Sequence, residues 1–452
     1  MTENISSDAL GQAETPESPG TNGHTLRHGG TFHKKKHIAV VTMGVKLGDE
    51  TRGYTRFRAI AELLVREGFK VDLITSRFQH WEKAHRDTSK ACYQGLPYTV
   101  LFIDEPGYTR NLDLARIRSH RQAARALRQL LATTAGPYDL IYAEIPPNDV
   151  ARTCVEFAQE QGIPFVADIN DLWPEAMRMV IDIPLISDIA FYPFSRDAKA
   201  VYRGLTAAVG TSREYTERPM ADRHAPYPHA TVYVGNDMAA FDAGAAQYAP
   251  ELAKPAKELW VTYAGTLGAS YDLGTLVEAA ALLAHPPQGS PVPLSGAFAN
   301  LPPIRVKILG DGPDRARLEE RAAQLGAPVD FCGYLDYAHM AAYLSISDIV
   351  VNSLVKSAAQ SIVGKIGDYL ASGKPLINTG SSPEFRSMVA QGGFGVNIAA
   401  EDPQALADAI AGFAHRESLR KIMGMRARTC AEKEFDQRRS YQRIADLIHT
   451  LV

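Results

Sequence analysis

A chain of 452 residues exceeds what one ordinary hydrophobic core supports, so two domains are expected. Hydrophobic residues at 45% allow a large buried interior, while a formal net charge of −3 excludes a general attraction to nucleic acid or to anionic membranes. Any anionic ligand must therefore be held by local groups.

The four cysteines, Cys92, Cys154, Cys332 and Cys430, show neither C-x-x-C pairing nor metal-ligand spacing. They read as small buried apolar side chains in a reducing compartment, and no metal is expected. No apolar run reaches the eighteen or so residues of a membrane span.

Residues 1–36 are rich in Ser, Thr, Gly, Pro and Glu and lack an apolar signal core, so they read as a disordered tail. Its basic end, "HKKK", is either a solubilising charge run or a contact for an acidic membrane surface. From residue 37, β-branched runs ("HIAVVTM", "VDLIT", "LIYAE", "FVADIND", "AAVGTS", "TVYVGND") alternate with amphipathic stretches such as "RFRAIAELLVREGFK". This is the βαβ pattern of a parallel sheet covered on both faces. Between the second and third runs, "RFQHWEKAHRD" places His80, Lys83 and Arg86 on one helical face, either a plain charged face or a holder for an anionic acceptor group.

The first domain is thus expected over 37–240, followed by an Ala- and Pro-rich linker at 241–258. The alternation restarts with "WVTYAGTL", "RVKILGDGP", "VDFCGYL", "DIVVNSL", "KPLINTG" and "FGVNI", giving a second α/β domain over 259–435. A proline-rich surface loop interrupts it at 285–303, and a helix over 436–452 should pack back on the body. Ligands of doubly wound sheets sit at the carboxyl ends of the strands, so the natural site is the cleft between the two domains.

Several motifs fall at such strand ends. In "YAGTLGASYDLGTLVEA", Gly265 and Gly268 let backbone amides, including those around Thr266 and Leu267, approach an anion at a helix N-terminus. In "ILGDGPDRARLEE", Gly310 and Gly312 repeat the design, and Asp311 either caps the helix or accepts from a ligand hydroxyl. Neither loop is a G-x-G-x-x-G, so a dinucleotide cofactor is not indicated. In "SIVGKIGDYLASGKP", a helix starting near Gln360 and Ser361 would carry Lys365 and Asp368 three apart, as an ion pair or as cleft ligands.

The ordered series "YAGTLG", "ILGDGPDRARLE", "VDFCGYL", "YLSISDIVVNSL", "DYLASGKPLINTG" and "EDPQALADAI" resembles the C-terminal half of the family-four, retaining, GT-B glycosyltransferases of envelope polysaccharide synthesis. The resemblance implies two Rossmann-like domains facing across a cleft. In that family two carboxylates separated by seven residues precede "A-x-G-K-P", the first meeting the donor sugar and the second the ribose. Here those positions hold Gln360 and Asp368. The loops carrying Gly265, Thr266, Leu267, Gly268, Gly310, Asp311, Gly312, Tyr334 and Ser361 fall on the donor side. Where the family places an Arg and a Lys on the donor diphosphate, this chain has Thr266 and Tyr271, so Lys365 is the expected replacement, with Lys356 in reserve.

In the first half, "GDETRGYTRFRAIAELLVREGFKVDLIT" and "DINDLWPEAM" resemble segments of the same branch. They place Gly53 and Arg56, with His80 and Lys83, on the acceptor side. Asn170 and Asp171 are candidates for the cleft's chemistry, Asp171 otherwise being a helix cap.

The implied activity moves a sugar from a nucleotide-diphosphate donor, with uridine expected, to a lipid-linked saccharide acceptor. Retention at the anomeric carbon, no metal and no cofactor are implied with it. The location expected is the cytoplasm or the inner face of the plasma membrane, with no nucleic-acid partner. An inactive homologue scaffolding a polysaccharide assembly complex is the alternative from another class, and a nucleotide-sugar epimerase would need acid and base groups not evident here.

Overall fold

Fully buried β-branched runs become the inner strands of two parallel sheets. The computed structural model describes residues 35–48, 50, 53–110, 113–133, 137–178, 183, 186–285, 300–358 and 362–452. Nearly all of the expected tail, most of the 285–303 loop, and both Gln360 and Ser361 lie outside the described residues. Residues 36–452 form one unit that holds both sheets.

The first sheet contains β1 (His37–Val41), β2 (Lys70–Ser76), β5 (Thr99–Ile103), β6 (Leu140–Ile145), β7 (Phe165–Ile169), β8 (Ala207–Gly210) and β9 (His229–Thr231). A separate hairpin pairs β3 (Phe78–Gln79) with β4 (Ala84–His85). The order β5-β2-β1-β6-β7-β8-β9 is parallel throughout. Strand β9 lies ahead of the run "TVYVGND" and shares only Thr231 with it.

The second sheet contains β10 (Leu259–Ala264), β11 (Ile304–Leu309), β12 (Val329–Gly333), β13 (Ile349–Asn352), β14 (Leu376–Asn378) and β15 (Gly395–Asn397), in the order β12-β11-β10-β13-β14-β15. Both orders are doubly wound. Their reversals fall between β1 and β6 and between β10 and β13, which fixes where each half opens a crevice at its strand ends. Apolar clusters cover both faces of each sheet.

Helices α1 (Arg56–Arg66), α2 (Leu114–Thr133), α3 (Asn148–Gln161), α4 (Glu175–Arg178) and α5 (Ile186–Gly204) belong to the first half. The expected linker at 241–258 is largely helical instead. A helix over Met238–Tyr248, capped by the Asp237 carboxylate on the Ala240 N–H, packs on the helix Tyr337–Ile346. Its small residues allow this, since a Cβ at Gly244 would lie 2.6 Å from Cα of Ala338. Alanine favours helix without producing the apolar periodicity by which a helix is read.

The expected helix through 77–87 is also absent. Gln79 turns the chain, its side-chain oxygen accepting from the N–H groups of Trp81 (2.6 Å) and Glu82 (3.0 Å), and Lys83 takes a left-handed backbone with φ 54°. The two strands of the hairpin follow. At the other end of the chain, helices Gln437–Ser440 and Gln442–His449 return to the first half, where Tyr441, Ile444, Ala445 and Ile448 join the cluster around β1 and α1. The C-terminal segment therefore packs back on the body.

Candidate active site in the cleft between the sheets

On the second sheet, the chain leaves β10 at the crevice and enters the loop of Gly265. The Gly265 amide donates to the Leu309 carbonyl (2.9 Å), and Leu267 N–H donates to the Asp311 carbonyl (3.0 Å). A Cβ on Gly310, at φ 130°, would overlap the Gly265 carbonyl oxygen, and one on Gly312 would overlap that of Leu267. These two glycines let the loops interlock. Only Gly268 faces open space, with Thr266 Cγ2 at 3.8 Å from a Cβ built there. Asp311 does not cap the helix expected after it; its carboxylate accepts from the Gly312 N–H (2.8 Å), and the helix begins at Arg315.

The expected helix near Gln360 is a short one over Ile366–Ala371, with Lys365 at its N-cap. Gly367 brings this helix against Gly235 and Asn236, and Tyr369 latches it to β10 through the Ala264 N–H and carbonyl, each at 2.9 Å. Lys365 and Asp368 consequently face different partners rather than each other. Lys365 Nζ donates to Tyr263 Oη (2.8 Å) and lies over the rings of Tyr263 (4.1 Å) and Tyr271 (3.8 Å).

A Cβ on Gly265 would be 2.6 Å from that ammonium, so Lys365 sits against the first glycine loop. Burial holds its pKa well below the ordinary lysine value, with no charged group offsetting it. Asp368 accepts at Oδ1 from Asn236 Nδ2 (2.9 Å) and Tyr337 Oη (2.8 Å), and burial raises its pKa to about 6 against those two donors. Tyr334 is 62% exposed beyond the end of β12. Lys356 is exposed, its backbone N–H on Glu401 (2.9 Å).

On the first sheet, Glu144 is the last residue but one of β6, beside the loop after β1. Its Oε2 accepts from Thr42 Oγ1 (2.6 Å) and from the Met43 N–H (3.0 Å), and its carboxylate lies against Gly44. Burial pushes its pKa up to about 7, those donors working in the opposite direction. Sequence reading missed Glu144, although its place at a strand end before a Pro-Pro pair was a usable signal.

Asn170 donates to the Asp168 carbonyl (3.0 Å), and Asp171 accepts from the Leu172 N–H (2.9 Å) and Trp173 Nε1 (3.0 Å); both line the cleft. Burial raises the Asp171 pKa. Gly53, at φ 129°, packs against Lys46 and the Trp81 ring.

Arg56 lines the cleft, but its guanidinium is spent inside the fold. It is 2% exposed and forms a two-pronged pair with Asp168 (2.9 and 3.0 Å), with further bonds to the Val232 and Tyr233 carbonyls. A guanidinium so occupied holds the fold together. Arg86 is likewise drawn inward, to Glu50 (2.5 Å) and the carbonyls of Ser76 and Val45, and leaves the face it was expected to share.

His80 and Lys83 do stay together. His80 Nδ1 is 2.6 Å from Tyr108 Oη, and Lys83 Nζ lies 3.5 Å from that nitrogen and 4.7 Å from the Tyr108 ring centre. Arg116 stacks over Trp173 (4.8 Å), as does His120 (6.1 Å). Burial, then Lys83 and Arg116, push the His80 pKa down to about 4. Imidazole there is neutral because it is desolvated, with the two cations adding to the effect.

His80, Arg116, Glu144, Asn170 and Asp171 line a cleft of about 890 Å³ whose walls also include Tyr54, Trp81 and Trp173 from the first half and Tyr271, Val363 and Gly364, the last next to Lys365 in the chain, from the second. Its size suits a small organic ligand, and its aromatic walls suit sugar faces. Among the described residues, no group of three or more His, Cys, Asp and Glu residues could hold a metal ion.

Residues 261–415 match the family Glycosyl transferases group 1, so the second half carries a domain of that kind. The structure is similar to sucrose-phosphate synthase of Thermosynechococcus elongatus, at a TM-score of 0.68 and 17% identity over 92% of this chain and 99% of that one. It is also similar to Anabaena HepE, solved in complex with UDP, at 0.63 and 16% over 92% and 100%. A third likeness, at 0.61 and 12% over 91% and 99%, is to WaaG, a glycosyltransferase involved in lipopolysaccharide biosynthesis. The fold is GT-B, with two Rossmann-like halves. No curated protein sequence matches the chain.

Proposed function

We propose that the protein is a retaining glycosyltransferase that moves a sugar from a UDP-sugar onto a lipid-linked saccharide in cell-envelope polysaccharide synthesis, without a metal. The observation that carries this reading is Lys365, a half-buried amine held against the Gly265 loop by two tyrosines, with no carboxylate paired to it among the described residues. Its charged form, partly desolvated and without a counter-charge, is costly unless a ligand supplies one. A diphosphate at the loop after β10 does so, and Lys365 then takes the place of the Arg and Lys that Thr266 and Tyr271 replace.

In this reading the donor lies along the second sheet and the acceptor along the first. Lys365 and the Gly268 side of the loop stabilise the charge that grows on the leaving diphosphate. Asp368 offers Oδ2 to the ribose, both protein donors being placed on Oδ1. Gln360 reads the donor sugar, as the resemblance implies. Across the cleft, Glu144, Asn170 and Asp171 orient the acceptor hydroxyl, and the His80, Lys83 and Arg116 group faces an acidic part of the acceptor. WaaG and HepE support the class of reaction and of donor by their likeness.

The test is calorimetric titration of the full chain with UDP, GDP and ADP in the absence of metal, beside Lys365→Ala. UDP should bind and the variant should lose at least about tenfold in affinity, as for a charge-assisted phosphate contact. Affinity should also fall as pH rises, at a pH below that of ordinary lysine, because the bound state needs the ammonium. Binding of none of the three nucleotides would instead favour an inactive scaffold.

A further inference from the structure

The first half of α5 is apolar on its outside. Ile186, Ile189 and Tyr192 are 62%, 78% and 63% exposed and follow one another three residues apart, along one stripe of the helix. Ile183, just before the helix, is 51% exposed. Apart from Ser187, the buried residues of α5 are Asp197, Ala198, Val201 and Tyr202, so its second half does the packing. On the same first half, Phe191 and Phe194 line the cleft.

The start of α2 lines that cleft too, and its Leu114 is 81% exposed. Helix α2 carries five arginines and no acidic residue over Leu114–Thr133, with Arg118, Arg121 and Arg125 exposed. The acids of α5 are already matched, Asp188 by Arg178 (2.5 Å) and Asp197 by Arg152 (2.8 Å) and Arg196 (2.9 Å). An exposed apolar stripe on the rim of the same cleft as a helix whose charged residues are all basic is costly in water and complementary to one surface, a bilayer with anionic headgroups.

We propose that this rim, the first half of α5 with the start of α2, docks the protein on an anionic phospholipid surface, its isoleucines and Tyr192 entering the headgroup layer. The net charge of the chain gives no such attraction, so the binding is local. The use of docking, to present a lipid-borne acceptor at the cleft mouth, rests on the function proposed above; the docking itself does not.

The experiment is co-sedimentation of the full chain with vesicles of phosphatidylcholine alone and of phosphatidylcholine mixed with phosphatidylglycerol. Wild type should pellet with the mixed vesicles, less so as salt is added. Ile186→Glu/Ile189→Glu should lose at least about tenfold in vesicle affinity, because each glutamate replaces buried apolar area by charge. Arg118→Glu/Arg121→Glu should lose a similar factor on the anionic vesicles only. Unchanged circular dichroism and thermal midpoint in both variants keep the comparison between folded proteins.

Equal vesicle binding by wild type and both variants overturns the proposal, as does wild type that binds neither vesicle. Concentration-dependent dimerisation that the isoleucine variant abolishes, without vesicle binding, overturns it too and makes the stripe an interface between copies. Vesicle binding that follows the rim while no nucleotide binds upholds the docking and removes the glycosyltransferase reading.

Discussion

Arg56 is a buried cation and Lys365 a half-buried amine, and their surroundings give them opposite consequences. Arg56 is matched by Asp168, which also accepts from Tyr142 Oη (2.6 Å). Arg56→Met should cost about 3–5 kcal/mol in urea unfolding, because it strands the Asp168 carboxylate in the interior. Lys365→Met should stabilise the free protein at neutral pH by on the order of 1 kcal/mol, since it removes an amine whose desolvation no counter-charge offsets. The same variant should lose UDP affinity, a split that a merely structural lysine would not show. Glu144 carries a pH signature. Its pKa stands near 4.5 when unfolded and about 7 when folded, so the native state binds more protons between those values and stability falls as pH rises through that window. Glu144→Gln keeps the acceptor for Thr42 and Met43 and should flatten the decline of the thermal midpoint between about pH 5 and 7, by up to about 1.4 kcal/mol per pH unit.

At the scale of elements, the interlocked loops after β10 and β11 make this end of the second sheet a single piece. Gly310→Ala should cost more than about 2 kcal/mol in unfolding free energy and weaken UDP binding with it, because a Cβ there displaces the Gly265 carbonyl and is strained at φ 130°. Gly274→Ala is the control. It lies in the helix Leu273–Ala284 with nothing within 4 Å of a built Cβ, and should be neutral or mildly stabilising in the same urea titration. The strands and these loops were legible because β-branched runs and paired glycines are local signals. The hairpin at 78–85 was not, since its turn is made by the Gln79 side chain rather than by a Gly or Pro. The start of the helix at Ile366 was also hidden, because what fixes it is contact with β10 and with Gly235, both remote in sequence.

The whole molecule is closed by its last residues. The chain leaves the second sheet, pairs Asp436 with Asn236, and lays Tyr441, Ile444, Ala445 and Ile448 against the first half, with Tyr441 Oη on the Val234 carbonyl (2.5 Å). Arg56 lies over the Tyr441 ring (5.1 Å), so the closing helices also brace the buried ion pair. Truncation after Phe435 should therefore unfold the first half, uncovering the β1 and α1 face, and yield insoluble chain. The milder Ile448→Ala should cost about 2–5 kcal/mol, read by urea titration.

The sequence by itself determined two doubly wound halves, the glycine loops at their strand ends and the returning C-terminal helix. These follow from hydrophobic period and from residue types with few uses, both of which are local. The tertiary structure decided the direction of each polar side chain. It turned Arg56 and Arg86 inward, parted Lys365 from Asp368, brought Glu144 to the crevice, and left the isoleucines of α5 in the open. Such choices depend on which carboxylate, carbonyl or ring lies within a few ångströms, and residues such as Arg56 and Asp168, 112 positions apart, become neighbours only when the sheet is assembled.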